Sequence, residues 1–200
     1  MTKTVDFIFD FGSPNAYLAY KVLPAILERT GAKMKIIPSL LGGIFKATNN
    51  QSPMMAFGGV KGKLEYENLE TRRFIRKHGL TAFKMNPHFP VNTLTLMRGA
   101  IYAERKGFLD AYVEAGLKAM WEDGQKMDDA EVFVSVMNGA GLDGAAILAG
   151  TQGPDVKAGL IANTEAAVGR GVFGIPTFFV GDEMYFGKNT LGDVEEGLIG

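Results

Sequence analysis

Cysteine is absent from all 200 residues. That excludes a disulfide framework and any redox chemistry carried by the chain's own thiols. Histidine is scarce, with only His78 and His88, so a structural zinc site is not expected. No apolar run approaches the roughly 18 residues that a membrane helix needs. The N-terminal Met1-Thr2-Lys3-Thr4-Val5-Asp6 lacks the apolar core of a secretory signal. Neither charge is in excess: 21 Lys+Arg against 22 Asp+Glu leave a formal net charge of −1. This balance argues against nucleic acid and membrane surfaces as partners. With no cysteine and no signal, a cytoplasmic address is the expectation.

What is present is ordinary globular composition, 46% hydrophobic and 22% charged, in a chain long enough for one domain with an insertion or for two small lobes. Val5 to Phe11 reads as a mostly buried strand. Pro14 to Thr30 reads as a helix with Tyr17, Leu18, Val22, Leu23, Ile26 and Leu27 inward, a kink at Pro24 and Gly31 as C-cap. Met34 to Pro38 completes a βαβ unit. Beyond it the pattern becomes helical. Leu40 to Ala47 is a short helical turn, Thr48 to Gly59 a polar loop, and Val60 to His78 a charged helix facing Leu64, Leu69, Phe74 and Ile75 inward. Phe83 to Val91 is loop, and four more helices lie between Asn92 and Ala149, separated by glycines. Asp155 to Arg170 is a last long helix. Pro176 to Gly181, a turn at Asp182-Glu183 and Met184 to Phe186 form a hairpin, followed by a C-terminal helix.

The order βαβ, helices, then αββα predicts an α/β fold: a thioredoxin-like βαβ…ββα core split by a large all-helical insertion. The expected division is a discontinuous thioredoxin-like domain of residues 1–39 and 171–200 with helix 155–170, and a helical insertion of residues 40–154.

Three segments of this fold converge on one edge. Ser13 is an N-cap with Pro14 behind it, which starts a helix and aims a hydroxyl and free N–H groups past the end of the first strand. Ile175-Pro176 places a proline where a strand begins, a position for an edge or a cis bond. In thioredoxin-like folds that proline is cis, and the residue before it pairs with an extended peptide. Gly187-Lys188-Asn189-Thr190 opens the last helix and could hold a carboxylate. Each segment also has a purely structural reading: a cap, the start of a strand, a second cap.

FDFGSPNAYLA, PSLLGGIFKATNNQSP, NPHFPVNTLTLMR and GVFGIPTFFVGDEMYFG resemble the 2-hydroxychromene-2-carboxylate isomerase and kappa-class glutathione transferase family. That family belongs to the larger DsbA-like group, and the resemblance runs from about Val5 to Leu198. It puts Ser13 where a CxxC motif has its first cysteine. The thiol would then come from glutathione as co-substrate, with Ser13 as the catalytic residue that activates it. The resemblance implies glutathione contacts from Pro14, Asn15, Asn50, Ile175, Pro176, Gly187, Lys188 and Asn189. It implies that the second substrate, a small aromatic electrophile, binds near Asn50, Pro53, Met54 and His88. His88 is a possible acid or base, or a loop histidine bonded to local backbone. Phe11, Tyr17, Phe45, Phe57 and Phe89 either line an apolar pocket or belong to the core. A homodimer is implied by analogy.

One departure stands out. The family carries Asp-Arg where this chain has Asn189-Thr190, and that Asp accepts from the α-ammonium of the γ-glutamyl group. Asn189 keeps an acceptor but loses the charge, at a cost of about 1–2 kcal/mol, which Lys188 would offset by holding the carboxylate. The expected activity is glutathione-dependent conversion of 2-hydroxychromene-2-carboxylate to trans-o-hydroxybenzylidenepyruvate. The alternatives are a kappa-like transferase acting on another electrophile, and a redox-inactive thioredoxin-like module that binds peptides along the Pro176 edge.

Overall fold

Strand β1 (Thr4–Phe9) sits inside the sheet because Val5, Phe7, Ile8 and Phe9 leave it no face for water; all four are buried. The computed structural model describes residues 2–200. Helix α1 (Pro14–Thr30) follows, running through Pro24 without interruption and ending on Gly31 in the left-handed conformation. Strand β2 (Lys33–Pro38) then pairs parallel with β1.

Seven helices intervene: α2 (Leu41–Thr48), α3 (Pro53–Phe57), α4 (Lys63–His78), α5 (Leu94–Lys106), α6 (Leu109–Trp121), α7 (Ala130–Gly139) and α8 (Gly144–Gly150). Helix α9 (Pro154–Gly169) returns the chain to the sheet. Strands β3 (Thr177–Val180) and β4 (Glu183–Phe186), a 3-10 turn at Lys188–Thr190 and α10 (Leu191–Ile199) complete it. The strand order is β2-β1-β3-β4, with β3 antiparallel to both β1 and β4. This is the α/β, thioredoxin-like order that the sequence pattern predicts.

Alternation along β1 directs its side chains to two layers. Phe7 stacks on Phe178 across the β1–β3 pair, and Phe9 meets Phe11 edge-on at 4.8 Å. Ile8 lies on the other face with Ile37, Ala166 and Ala167 of α9, around a cavity of about 240 Å³. Phe11 carries the core onward into the helices, edge-on to Tyr112 of α6. A Cβ at Gly116 would lie 2.5 Å from the Phe11 ring, and Phe11 is enclosed by Phe9 and Tyr112. Gly116→Ala should therefore destabilise the chain by about 1–3 kcal/mol. Thermal melting would check this as a loss of several degrees, at about 2–4 °C per kcal/mol for this chain length; an unchanged midpoint would show that Phe11 has room to move.

Several local expectations are corrected. The polar stretch after α2 contains the short helix α3, capped by Ser52, whose hydroxyl accepts from the Met55 N–H. Helix α4 begins at Lys63 rather than Val60, because Gly62 takes φ +80. Of its expected inner face only Phe74 is buried, and Leu69 is 36% exposed. The hairpin turn is Gly181-Asp182 rather than Asp182-Glu183: Val180 pairs with Glu183, and Gly181 supplies the positive φ. Among the five aromatics, Phe11 and Tyr17 are core, Phe45 and Phe89 are half-buried, and Phe57 is exposed.

Candidate active site

Where β1 ends, the chain is held from several directions before α1 begins. The Asp10 carbonyl accepts from the Ser13 N–H at 3.2 Å. The Phe11 carbonyl accepts from Nε1 of Trp121 at 2.9 Å. Asp10 itself is fully buried and has no cationic partner among the described residues. Its carboxylate accepts from the Gly12 N–H, the Leu41 N–H and the Thr93 hydroxyl, each at 2.8 Å. Those three groups lie just before α1, at the first residue of α2 and at the N-cap of α5. Three helix N-termini therefore converge on one carboxylate, a favourable field for an anion. Burial nonetheless pushes the Asp10 carboxyl above its ordinary value, opposed by the three hydrogen bonds.

Ser13 stands on this platform with a buried side chain. Its backbone is extended, and its Oγ accepts from the Ala16 N–H at 3.2 Å, the geometry of an N-cap. The same hydroxyl donates to the Ile175 carbonyl at 2.9 Å. Pro14 has no N–H, so the first free donor of α1 is that of Asn15.

The opposing segment is equally constrained. The Ile175–Pro176 bond is cis. The Thr177 hydroxyl donates to the Gly174 carbonyl at 2.7 Å, and the Asn50 amide donates to the Phe173 carbonyl at 2.8 Å. Beyond the proline, the Gly187 N–H donates to the Pro176 carbonyl at 2.9 Å. Ser13, Ile175, Pro176 and Gly187 thus form one hydrogen-bonded rim, with Asn50 bridging to it from the end of α2.

Lys188 is the surprise of this rim. Its ammonium was expected to face a ligand carboxylate; instead it is buried, 2.7 Å from Glu70 Oε2 and 5.4 Å above the Phe74 ring of α4. A lysine at 4% exposure cannot remain unpaired without a large desolvation cost, and Glu70 supplies the partner. Asn189 beside it is exposed.

The residues expected around a second substrate are less gathered. Pro53 and Met54 lie exposed on α3, with Met54 60% exposed. His88 is exposed in the loop after α4, where its backbone N–H donates to Asn86 Oδ1. That loop is anchored by Asn86, whose amide donates to the Met120 and Gln125 carbonyls, and by Phe89 against Trp121. The Tyr17 hydroxyl, one turn beyond Ser13, donates to Glu122, and burial is the main reason its pKa is pushed up. Among the described residues, the only titratable side chain hydrogen-bonded to the loop of residues 10–13 is that of the buried Asp10. Among the described residues no group of three or more His, Asp or Glu could hold a metal ion, and no helix is long and apolar enough to cross a membrane.

Sequence reasoning missed Asp10, Trp121 and Glu70. Only Asp10 left a local trace, an acidic residue inside an apolar run just before Gly12-Ser13.

The chain is 29% identical over 201 residues to a 2-hydroxychromene-2-carboxylate isomerase from Sphingobium xenophagum, covering 100% of both chains. It is 25% identical over 182 residues to glutathione S-transferase kappa 1 from Rattus norvegicus, covering 88% of this chain and 80% of that one. A solved structure of 2-hydroxychromene-2-carboxylate isomerase superposes with a TM-score of 0.81 at 28% identity, covering 98% of this chain and 94% of that one. Residues 4–198 match the family model of the DSBA-like thioredoxin domain, and the chain belongs to that family.

Proposed function

We propose that the chain is a glutathione-dependent isomerase acting on 2-hydroxychromene-2-carboxylate or a related intermediate of aromatic degradation. The observation that carries this reading is the Ser13 hydroxyl, held between the N-terminus of α1 and the Ile175 carbonyl in a chain with no thiol of its own. Full-length similarity to isomerases of that name supports it.

The residues fit a thiolate. The Ser13 hydroxyl, which donates to the Ile175 carbonyl, turns its O–H to the sulfur when a thiol arrives, and the amide N–H of the thiol's cysteine then donates to that carbonyl in its place. The Asn15 N–H and the α1 N-terminus add a second source of positive potential. Lowering a thiol pKa from about 8.5 to about 6.5 requires about 2.7 kcal/mol. A charge-assisted hydrogen bond supplies ~1.5–3 kcal/mol and a helix N-terminus ~0.3–1, so no cationic side chain is needed. Bound there, the thiolate supplies the nucleophile that adds to the conjugated ring system. It leaves again after ring opening and bond rotation, and is regenerated. The chain's own work is to hold the sulfur ionised, to fix the peptide arm along Ile175–Pro176, and to leave the sulfur's outer side open to the electrophile.

Similarity to a kappa-class transferase favours a second reading, in which the same activated thiol attacks another electrophile and stays attached to it. Recovery of stoichiometric free glutathione after turnover distinguishes isomerase from transferase.

Calorimetry at pH 7 in two buffers of different ionisation enthalpy tests the shared step. A thiol whose pKa falls on binding releases a proton, so the binding heat should depend on the buffer, and the release should fade above about pH 8.5 where the free thiol is already ionised. Absence of binding, or binding without proton release, would sink the thiolate reading.

A further inference from the structure

The two polar groups of one peptide unit, Phe11–Gly12, are each held by a buried side chain. The Phe11 carbonyl accepts from Nε1 of Trp121 at 2.9 Å, and the Gly12 N–H donates to Asp10 Oδ1 at 2.8 Å. The same peptide is the centre of the turn that carries Ser13, closed by the 3.2 Å bond from the Ser13 N–H to the Asp10 carbonyl.

The residues of the turn do not favour this orientation by themselves. Rotating a central peptide by about 180° interconverts type I and type II turns, and a glycine at the third position favours type II, where its φ is positive. Gly12 lies outside the positive-φ region. Local preference is therefore overridden by the two side chains. After such a rotation the Phe11 carbonyl oxygen would turn from the indole toward the Asp10 carboxylate, which repels it. Trp121 is well anchored for its part. It is fully buried at the end of α6, with its ring near Phe83 and Phe89, and its own carbonyl accepts from the Lys84 N–H at 2.7 Å. Ser13 follows the turn directly, and its hydroxyl joins the Ala16 N–H to the Ile175 carbonyl.

We propose that Trp121 is a positioning residue for Ser13: its indole N–H, opposite the Asp10 carboxylate on the same peptide, holds the turn in the form that presents the Ser13 hydroxyl to the thiol sulfur. The inference rests on the thiol reading above and extends it to a residue that touches no ligand. Without the indole N–H the Phe11 carbonyl is buried and unpaired, a costly state. Rotation of the peptide relieves it, and Gly12 permits that rotation.

Trp121 is the only tryptophan in the chain, so biosynthetic replacement of tryptophan by β-(3-benzothienyl)alanine alters this position alone. The analogue keeps the size of the ring system and has sulfur in place of the N–H. A displacement of about 1 Å can cost about a hundredfold in rate, and loss of one of two holders should lower kcat/KM for the glutathione-dependent isomerisation by about tenfold at pH 7. The deficit should shrink as pH rises to about 9, where a free thiol ionises without help. In the Ser13→Ala background the same replacement should lower kcat/KM by less than about twofold, because residues acting through one hydroxyl are not additive. Trp121→Phe, which removes the N–H and shrinks the ring, should show the same pattern together with a lower melting midpoint. A pH-independent deficit, a deficit that multiplies in full with that of Ser13→Ala, or full activity of the analogue overturns the role of Trp121 and leaves the thiol reading intact. Failure of both altered proteins to fold overturns it as well, since the indole N–H would then be a requirement of the whole structure and not of Ser13. A wild type without glutathione-dependent turnover removes the thiol reading and this inference together.

Discussion

Ser13→Ala is expected to lower kcat/KM for the isomerisation by about 10- to 100-fold at neutral pH. The proposed role of the hydroxyl is a charge-assisted hydrogen bond to sulfur worth ~1.5–3 kcal/mol, and each 1.4 kcal/mol is about a factor of ten. The deficit should depend on pH in a defined direction. Without the hydroxyl the bound thiol ionises nearer its free value of about 8.5, so the variant should recover much of its activity as pH rises from 7 to about 9. Wild type should change little over that interval. The variant also loses an N-cap, worth about 1 kcal/mol of stability, and removes a donor from the Ile175 carbonyl. A thermal melt separates that loss from the kinetic one. A pH-independent deficit would mean that Ser13 acts by shaping the loop and not by stabilising the anion.

Asp10→Ala should be the most destabilising single change near the site, by about 3–5 kcal/mol. The substitution strands the Gly12 N–H, the Leu41 N–H and the Thr93 hydroxyl, and each buried unpaired donor costs about 1–3 kcal/mol before relaxation. A total stability of ~5–15 kcal/mol is ordinary for a domain, so urea unfolding should show a large fall in midpoint. An effect below about 1 kcal/mol would show that water replaces the carboxylate easily. Asp10→Asn should cost less, because it keeps one acceptor oxygen, although its NH₂ must then oppose one of the donors. The pH dependence has a definite sign. The folded carboxyl is raised above its ordinary value of 3.8, with burial as the leading cause. Its contribution to stability is therefore fullest below pH 3.8 and is lost as pH rises through the folded pKa. Asp10→Asn should remove that decline, which denaturant curves across the same interval would detect.

Features governed by neighbours in sequence are legible in the sequence alone. Ser13-Pro14 marks the start of α1 because capping is settled within four residues, and the Ile175-Pro176 junction and the hairpin announce themselves through proline and glycine. Helix α3 is not legible because its five residues, Pro53 to Phe57, are too few to show a helical period and follow the polar Asn49-Asn50-Gln51-Ser52. The inner face of α4 was misjudged because a helix that touches the core mainly through Phe74 needs no full apolar stripe. The organisation beneath Ser13 was out of reach for a different reason. Asp10 meets Thr93, Phe11 meets Trp121 and Lys188 meets Glu70, and no local propensity encodes pairings across such separations. The resemblance to glutathione-using proteins pointed at Lys188 but could not foresee its burial, since Glu70 lies on a different helix.

The position of β1 between β2 and β3 bears on how the chain is made. Phe7 pairs with Phe178, so one edge of this apolar strand lacks its partner until roughly 170 further residues have been translated. At about 5–20 residues per second that interval is roughly 10–30 s. An open, phenylalanine-rich edge is a template for pairing with other chains. Helices α5 to α8 can form early from local contacts, but the floor beneath Ser13 needs β3 as well. The candidate site thus assembles only after the segment around Ile175 has emerged, and the nascent strand is most open to chaperones and to misassociation before then.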